Sequence, residues 1–87
     1  MKITIFSTPT CPYCKSAKEF LRRHNIGFKE VDVSSNEKAA EYIRNKTGSF
    51  GVPQIELKES EDDEGIYFVG FDDNTKKELK KILKLKG

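Results

Sequence analysis

TPTCPYCKSAKEF, residues 8–20, contains both cysteines of the chain, Cys11 and Cys14, separated by Pro12 and Tyr13. Thr8, Pro9 and Thr10 are turn formers. Beyond them Cys14, Ala17, Phe20, Leu21 and His24 recur at helical spacing, so one face of the predicted helix is mainly apolar. Pro12 is tolerated in a first helical turn, where its missing N–H would have had no partner. Ahead of the turn, Ile3 and Ile5 mark a short strand. The pair therefore falls where a strand hands over to a helix, with Cys11 at the helix N-terminus. Asn25 and Gly27 suit the exit of that helix.

Working outward, residues 28–33 alternate apolar and polar, as a strand with one buried face does. Ser34 and Glu37 have the spacing of a capping box, opening a second helix that runs to about Lys46 and buries Ala39, Ala40, Tyr42 and Ile43. Thr47, Gly48 and Ser49 end it. Residues 52–57 read as a third strand with Pro53 near its start, and 66–69 as a fourth. The acidic run Glu59, Glu61, Asp62, Asp63 and Glu64 between them reads as a solvated hairpin loop. Gly70 to Asn74 forms another turn. Thr75 and Glu78 offer a second capping box, before a helix whose stripe is Leu79, Ile82, Leu83 and Leu85. The order β-α-β-α-β-β-α predicts an α/β protein: first two strands parallel, last two an antiparallel hairpin, helices on both faces of a small sheet.

Composition narrows the function. The chain has 87 residues, 34% of them charged, with a net charge of +2. That length predicts one domain spanning 1–87, and a charge balance this even is unlike a generic nucleic-acid binder, which carries a large basic excess. The lysines of the last helix read as its wet face. Residues 1–6 are too short an apolar run for a secretory leader, and no stretch approaches a membrane span. The expected compartment is the cytoplasm, where thiols are kept reduced and a Cys-x-x-Cys pair is catalytic or metal-binding rather than a permanent staple.

Three readings of the pair compete. A closed zinc site takes four ligands, and Cys11, Cys14 and His24 fall short within one chain, so a metal reading requires a second chain. An inert buried pair makes no use of the helix start. Redox exchange does: unpaired N–H groups and the helix dipole favour a thiolate there, and such thiols ionise at roughly 3.5 to 7 against about 8.5 for free cysteine. Lys15 and Lys18 add positive potential. Cys11 is then an exposed nucleophile, ionised near neutral pH, and Cys14, nearly one turn on and less exposed, resolves the mixed disulfide. His24 reads as a surface or satisfied histidine near a helix end.

Three landmarks now resemble one family. Thr8 to Cys14, the stretch Gly51-Val52-Pro53-Gln54-Ile55, and Val69-Gly70-Phe71-Asp72-Asp73 stand in the order and at the separations of the glutaredoxins, over essentially the whole chain. The resemblance implies a thioredoxin-like fold with a four-stranded mixed sheet and three helices, and thiol–disulfide oxidoreductase activity on protein or mixed disulfides. It makes Cys11 the nucleophile and Cys14 the resolving thiol. It makes Val52-Pro53 a cis-proline loop presenting backbone to an extended substrate, places Pro12 and Tyr13 beside the substrate groove, and assigns Gly70, Phe71 and Asp72 to the γ-glutamyl end of glutathione. Phe50 and Phe71 are expected as an exposed apolar surface beside the cysteines, while Phe6, Phe20, Phe28 and Phe68 pack.

The departures bear on the electron donor. Basic or polar groove residues common in glutathione-using members fall at Thr8, Ala40 and Phe50 here, which removes charge-assisted contacts to glutathione's glycine carboxylate. Arg44 and Lys46 are the candidates to replace them. Gly70-Phe71 resembles the members that donate electrons to ribonucleotide reductase and are recharged by thioredoxin reductase, whereas Pro12-Tyr13 resembles the glutathione branch. The expected partners are disulfide-bearing proteins, ribonucleotide reductase among them, and either glutathione or a thioredoxin-reductase-type donor, with weak dependence on glutathione. The protein is expected to act as a monomer, with no metal and no bound cofactor, glutathione being a co-substrate. The rival function is an iron–sulfur cluster carrier, with Cys11 and glutathione holding a cluster between two chains. Pro12 argues against it, since related cluster binders have a smaller or more flexible residue there.

Overall fold

The computed structural model describes residues 2–49, 51–60 and 62–84. Expectations that fall on Phe50, Glu61, Leu85 and Lys86 lie outside the described residues. The chain runs β1 (Lys2–Ser7), α1 (Pro12–Arg23), β2 (Lys29–Asp32), α2 (Glu37–Thr47), β3 (Gln54–Lys58), β4 (Ile66–Val69) and α3 (Asp73–Ile82). The strands form a four-stranded mixed sheet in the order β2-β1-β3-β4. β1 pairs with β2 in parallel, and β3 pairs antiparallel with both β1 and β4.

Alternation along the strands separates two faces. One face presents Ile3, Ile5, Ile55 and Leu57, which form the buried core with Ala17 and Leu21 of α1 and Leu79 of α3. The opposite face carries Phe6, Gln54, Glu56 and Tyr67 and receives α2: Tyr42 stacks near Phe6 with ring centroids 6.0 Å apart. The Tyr42 hydroxyl donates to the Glu56 carboxylate in a short hydrogen bond. Tyr67 donates to the same carboxylate at 2.9 Å, so a glutamate only 8% exposed is satisfied inside the layer.

Several local expectations are corrected. Asn36, not Ser34, caps α2, its side chain accepting the Ala39 N–H at 3.1 Å. Ser34 is engaged instead by Asp32, which accepts from its N–H at 2.9 Å. Asp72, not Thr75, caps α3. Of the α2 positions expected inside, only Ile43 is buried; Ala39, Ala40 and Tyr42 are half-buried. β2 is an edge strand with no fully buried position. At the end of α1 the left-handed residue is Asn25, with φ 57°, and Gly27 is not needed for the turn. Among the described residues no helix is long and apolar enough to cross a membrane.

Candidate active site

β1 ends at Ser7, and α1 begins at Pro12 with Cys11 as its N-cap. In place of the usual oxygen, the Cys11 sulfur accepts the Cys14 backbone N–H at 3.2 Å. A sulfur in this position meets an unpaired amide and the positive end of the helix dipole. Cys11 is half-buried, Cys14 is 1% exposed, and both are free thiols. Burial foremost, then hydrogen bonding with Cys11, pushes the Cys14 thiol up to about 12. Cys14 thus stays protonated at neutral pH and does not compete with Cys11 for an incoming disulfide.

Across from the pair, the Val52–Pro53 peptide bond is cis. The Val52 carbonyl lies 3.7 Å from the Cys11 sulfur, so the loop faces the nucleophile directly. Two contacts hold it. The Gly70 N–H donates to the Pro53 carbonyl at 2.7 Å, from a backbone at φ 87° that favours glycine. Behind the loop, buried Gln54 donates from Nε2 to the carbonyls of Ser49 (3.0 Å) and Gly51 (2.8 Å). Its Oε1 accepts from Thr47 Oγ1 at 2.7 Å. Gln54 was not singled out from the sequence; the signal available was an amide in a strand otherwise built to be buried, directly after Pro53.

Tyr13, Val52, Pro53, Gly70, Phe71 and Asp72 line one cleft of about 240 Å³. Tyr13 forms its exposed lip at 64% exposure. Pro12 is not in this cleft: together with Cys11 it lines a neighbouring one that includes Thr8, Lys15 and Lys18. Cys11 therefore lines the second depression and meets the first only through Val52, whose carbonyl it contacts. Phe71 corrects an expectation. Its ring is 5% exposed and packs edge-on against Phe20, with centroids 5.6 Å apart, so the side chain is core. Asp72 is exposed, and its Oδ1 accepts from the Thr75 N–H at 2.8 Å and the Thr75 hydroxyl at 3.0 Å. These bonds, the backbone one first, hold its carboxyl below the usual range.

No lysine or arginine lines the cleft among the described residues. The two candidate replacements are elsewhere. Arg44 lines a depression with Val33, Glu37 and Ala40, and the Lys46 ammonium sits over the Tyr42 ring at 5.7 Å. His24 packs edge-on against Phe20 with centroids 4.8 Å apart.

The sequence and the fold have counterparts among known proteins. The family model described as Glutaredoxin matches residues 3–60. The chain belongs to the glutaredoxin family. A relative, the uncharacterized glutaredoxin-like 8.6 kDa protein in the rubredoxin operon of Clostridium pasteurianum, is 40% identical over 81 residues, covering 93% of this chain and 96% of that protein. Among solved structures, the glutaredoxin of Methanosarcina mazei matches with a TM-score of 0.74 and 25% identity, over 94% of this chain and 77% of that one. The glutaredoxin-like NrdH-redoxin of Escherichia coli matches with a TM-score of 0.74 and 23% identity, over 91% and 95% of the two chains. That likeness shows the shared thioredoxin-like fold.

Proposed function

We propose that the protein is a dithiol reductase of protein or mixed disulfides, with Cys11 as nucleophile and Cys14 as resolving thiol. The observation that carries this reading is the Cys11 sulfur capping α1, held by the Cys14 N–H and in contact with the Val52 carbonyl of the cis-proline loop. In the first step the Cys11 thiolate attacks one sulfur of the substrate disulfide. That S–S bond breaks, a Cys11 mixed disulfide forms, and the departing sulfur takes up a proton. In the second step Cys14 gives up its proton and attacks the Cys11 sulfur. The second substrate sulfur leaves as a thiol and the Cys11–Cys14 disulfide closes, so two electrons have passed to the substrate. The raised Cys14 thiol reserves this step for the mixed disulfide, in which the Cys11 sulfur is held beside it.

Regeneration needs two electrons from a dithiol enzyme of the thioredoxin-reductase type or from two glutathione molecules. The lack of lysine and arginine among the described residues that line the cleft supports the first, because glutathione's glycine carboxylate would find no charged partner among them. The Gly70-Phe71 pair, which resembles the members recharged by thioredoxin reductase, supports the same branch and, with it, ribonucleotide reductase as a substrate class. The cytoplasm is the compartment that would keep such a pair recharged.

Cys11→Ser is expected to abolish reduction of a peptide disulfide, while Cys14→Ser accumulates a mixed disulfide visible by mass spectrometry. Full activity of Cys11→Ser would reverse the assignment. For the donor, turnover driven by thioredoxin reductase is expected to exceed that driven by glutathione and glutathione reductase by at least about tenfold, the equivalent of one missing charge-assisted contact. Fast recycling at low glutathione concentration would count against the donor assignment and leave the cysteine roles standing.

A further inference from the structure

Beside the cleft runs a second depression, of about 350 Å³, between α1 and α3. Its floor is aromatic: the buried ring of Phe71, then the half-buried Phe20, then His24, each edge-on to the next. Its rims are cationic. Arg23 comes from the last turn of α1, and Lys76 and Lys80 come from α3. The Lys76 ammonium lies 5.5 Å over the Phe71 ring. Glu19 is the one acid among the lining residues. This local excess of cations is not the chain's average, since 16 basic residues are nearly balanced by 14 acidic ones overall.

Phe71 lines both depressions. A protein whose disulfide meets Cys11 has chain to spare for the trough that adjoins the cleft at Phe71, whereas a small disulfide does not reach along it. We propose that this trough docks an acidic segment of the protein substrate, with aspartate or glutamate carboxylates on Arg23 and Lys76 and side-chain methylenes on the Phe20–His24 floor. The proposal rests on the dithiol-reductase reading of Cys11. Arg23 is exposed and Lys76 half-buried, so each pair is screened by water and adds little affinity. Their combined field acts mainly on the rate of encounter and on the choice of partner.

The test uses two synthetic peptides with the same disulfide core, one flanked by glutamates and one by lysines, with hydroxyethyl disulfide as a small control. The glutamate peptide is expected to show a kcat/KM about tenfold higher at low ionic strength, the advantage shrinking as salt is added. The pair Arg23→Glu and Lys76→Glu is expected to erase or invert that preference and leave hydroxyethyl disulfide reduction unchanged. The pair Lys38→Glu and Lys46→Glu on α2 makes the same change in net charge away from the trough and is expected to keep the preference. Equal rates for the two peptides, or loss of preference in both variant pairs alike, overturn the proposal. So does sedimentation showing a dimer that the trough pair, and not the α2 pair, converts to monomer. If the native protein fails to reduce hydroxyethyl disulfide, the redox reading falls separately. Anisotropy of a labelled, cysteine-free glutamate peptide with the same variants then decides the docking site: binding lost only in the trough pair upholds it, and no binding rejects it.

Discussion

Asp72 stands where β4 has ended and α3 begins, with one carboxylate oxygen committed to Thr75 and the side chain still open to the cleft. Capping needs only an oxygen; the contact that the family resemblance implies, to the ammonium of glutathione, would need the charge. Asp72→Asn keeps the first and removes the second, since asparagine caps as well as aspartate. It is expected to leave the urea midpoint unchanged and to raise the KM for a glutathione mixed disulfide about tenfold, the size of one charge-assisted bond. Asp72→Ala is expected to do the same to KM and also to lower stability by about 1 kcal/mol. Unchanged KM in both variants would reduce Asp72 to a cap. At this scale the cysteine pair was legible because its chemistry lies in residue type and spacing. The burial of Phe71 was not: the Gly70 turn swings its ring toward Phe20, and only the packing of α1 against α3 makes that a core position.

Among elements, the strand and helix order was readable from apolar periodicity, and the caps were misplaced for a definable reason. Asp32, Ser34, Ser35 and Asn36 can each accept a backbone N–H, so the sequence before α2 offers several equivalent starts. The choice falls to Asn36 because Asp32 is still in β2, where its carboxylate takes the N–H and hydroxyl of Ser34. Likewise Thr75 is buried inside the first turn of α3, so the cap falls to Asp72. Tertiary placement of the same kind gives Gln54 its role, at the start of β3, of tying the end of α2 to the Val52–Pro53 loop. Gln54→Leu leaves the carbonyls of Ser49 and Gly51 without these donors. It is expected to cost about 1–3 kcal/mol in urea unfolding. It is also expected to raise the KM for a disulfide peptide while alkylation of Cys11 by iodoacetamide keeps its rate, a split that a general loosening would not produce. Native KM in this variant would remove Gln54 from the positioning of the loop.

For the molecule as a whole, the raised Cys14 thiol sets a pH dependence whose sign is definite. An unfolded chain releases that proton near its ordinary 9.0, and the folded chain holds it to about 12. Between these values the unfolded state binds fewer protons, so stability falls as pH rises through the window. Tyr67, raised by burial and by its bonds to Tyr42 and Glu56, acts in the same direction. Urea midpoints of the reduced protein are expected to decline from about pH 9 upward, and Cys14→Ala to decline less steeply over the same range. A parallel decline in the two proteins would show that Cys14 is not the source. The mixed sheet and its two packed faces were foreseen from element order. The Tyr42–Glu56–Tyr67 cluster was not, because it joins α2, β3 and β4, and no one of those segments carries its signature alone.

The hydrogen bond from Gly70 to Pro53 also fixes how a guest is received. It fastens to one another two chain segments that both line the cleft. On the reductase reading proposed above, an extended substrate would meet a seat already joined, and the ordering it must pay for would be its own rather than the host's. Selectivity among disulfides should accordingly follow the stiffness and backbone shape of the incoming strand.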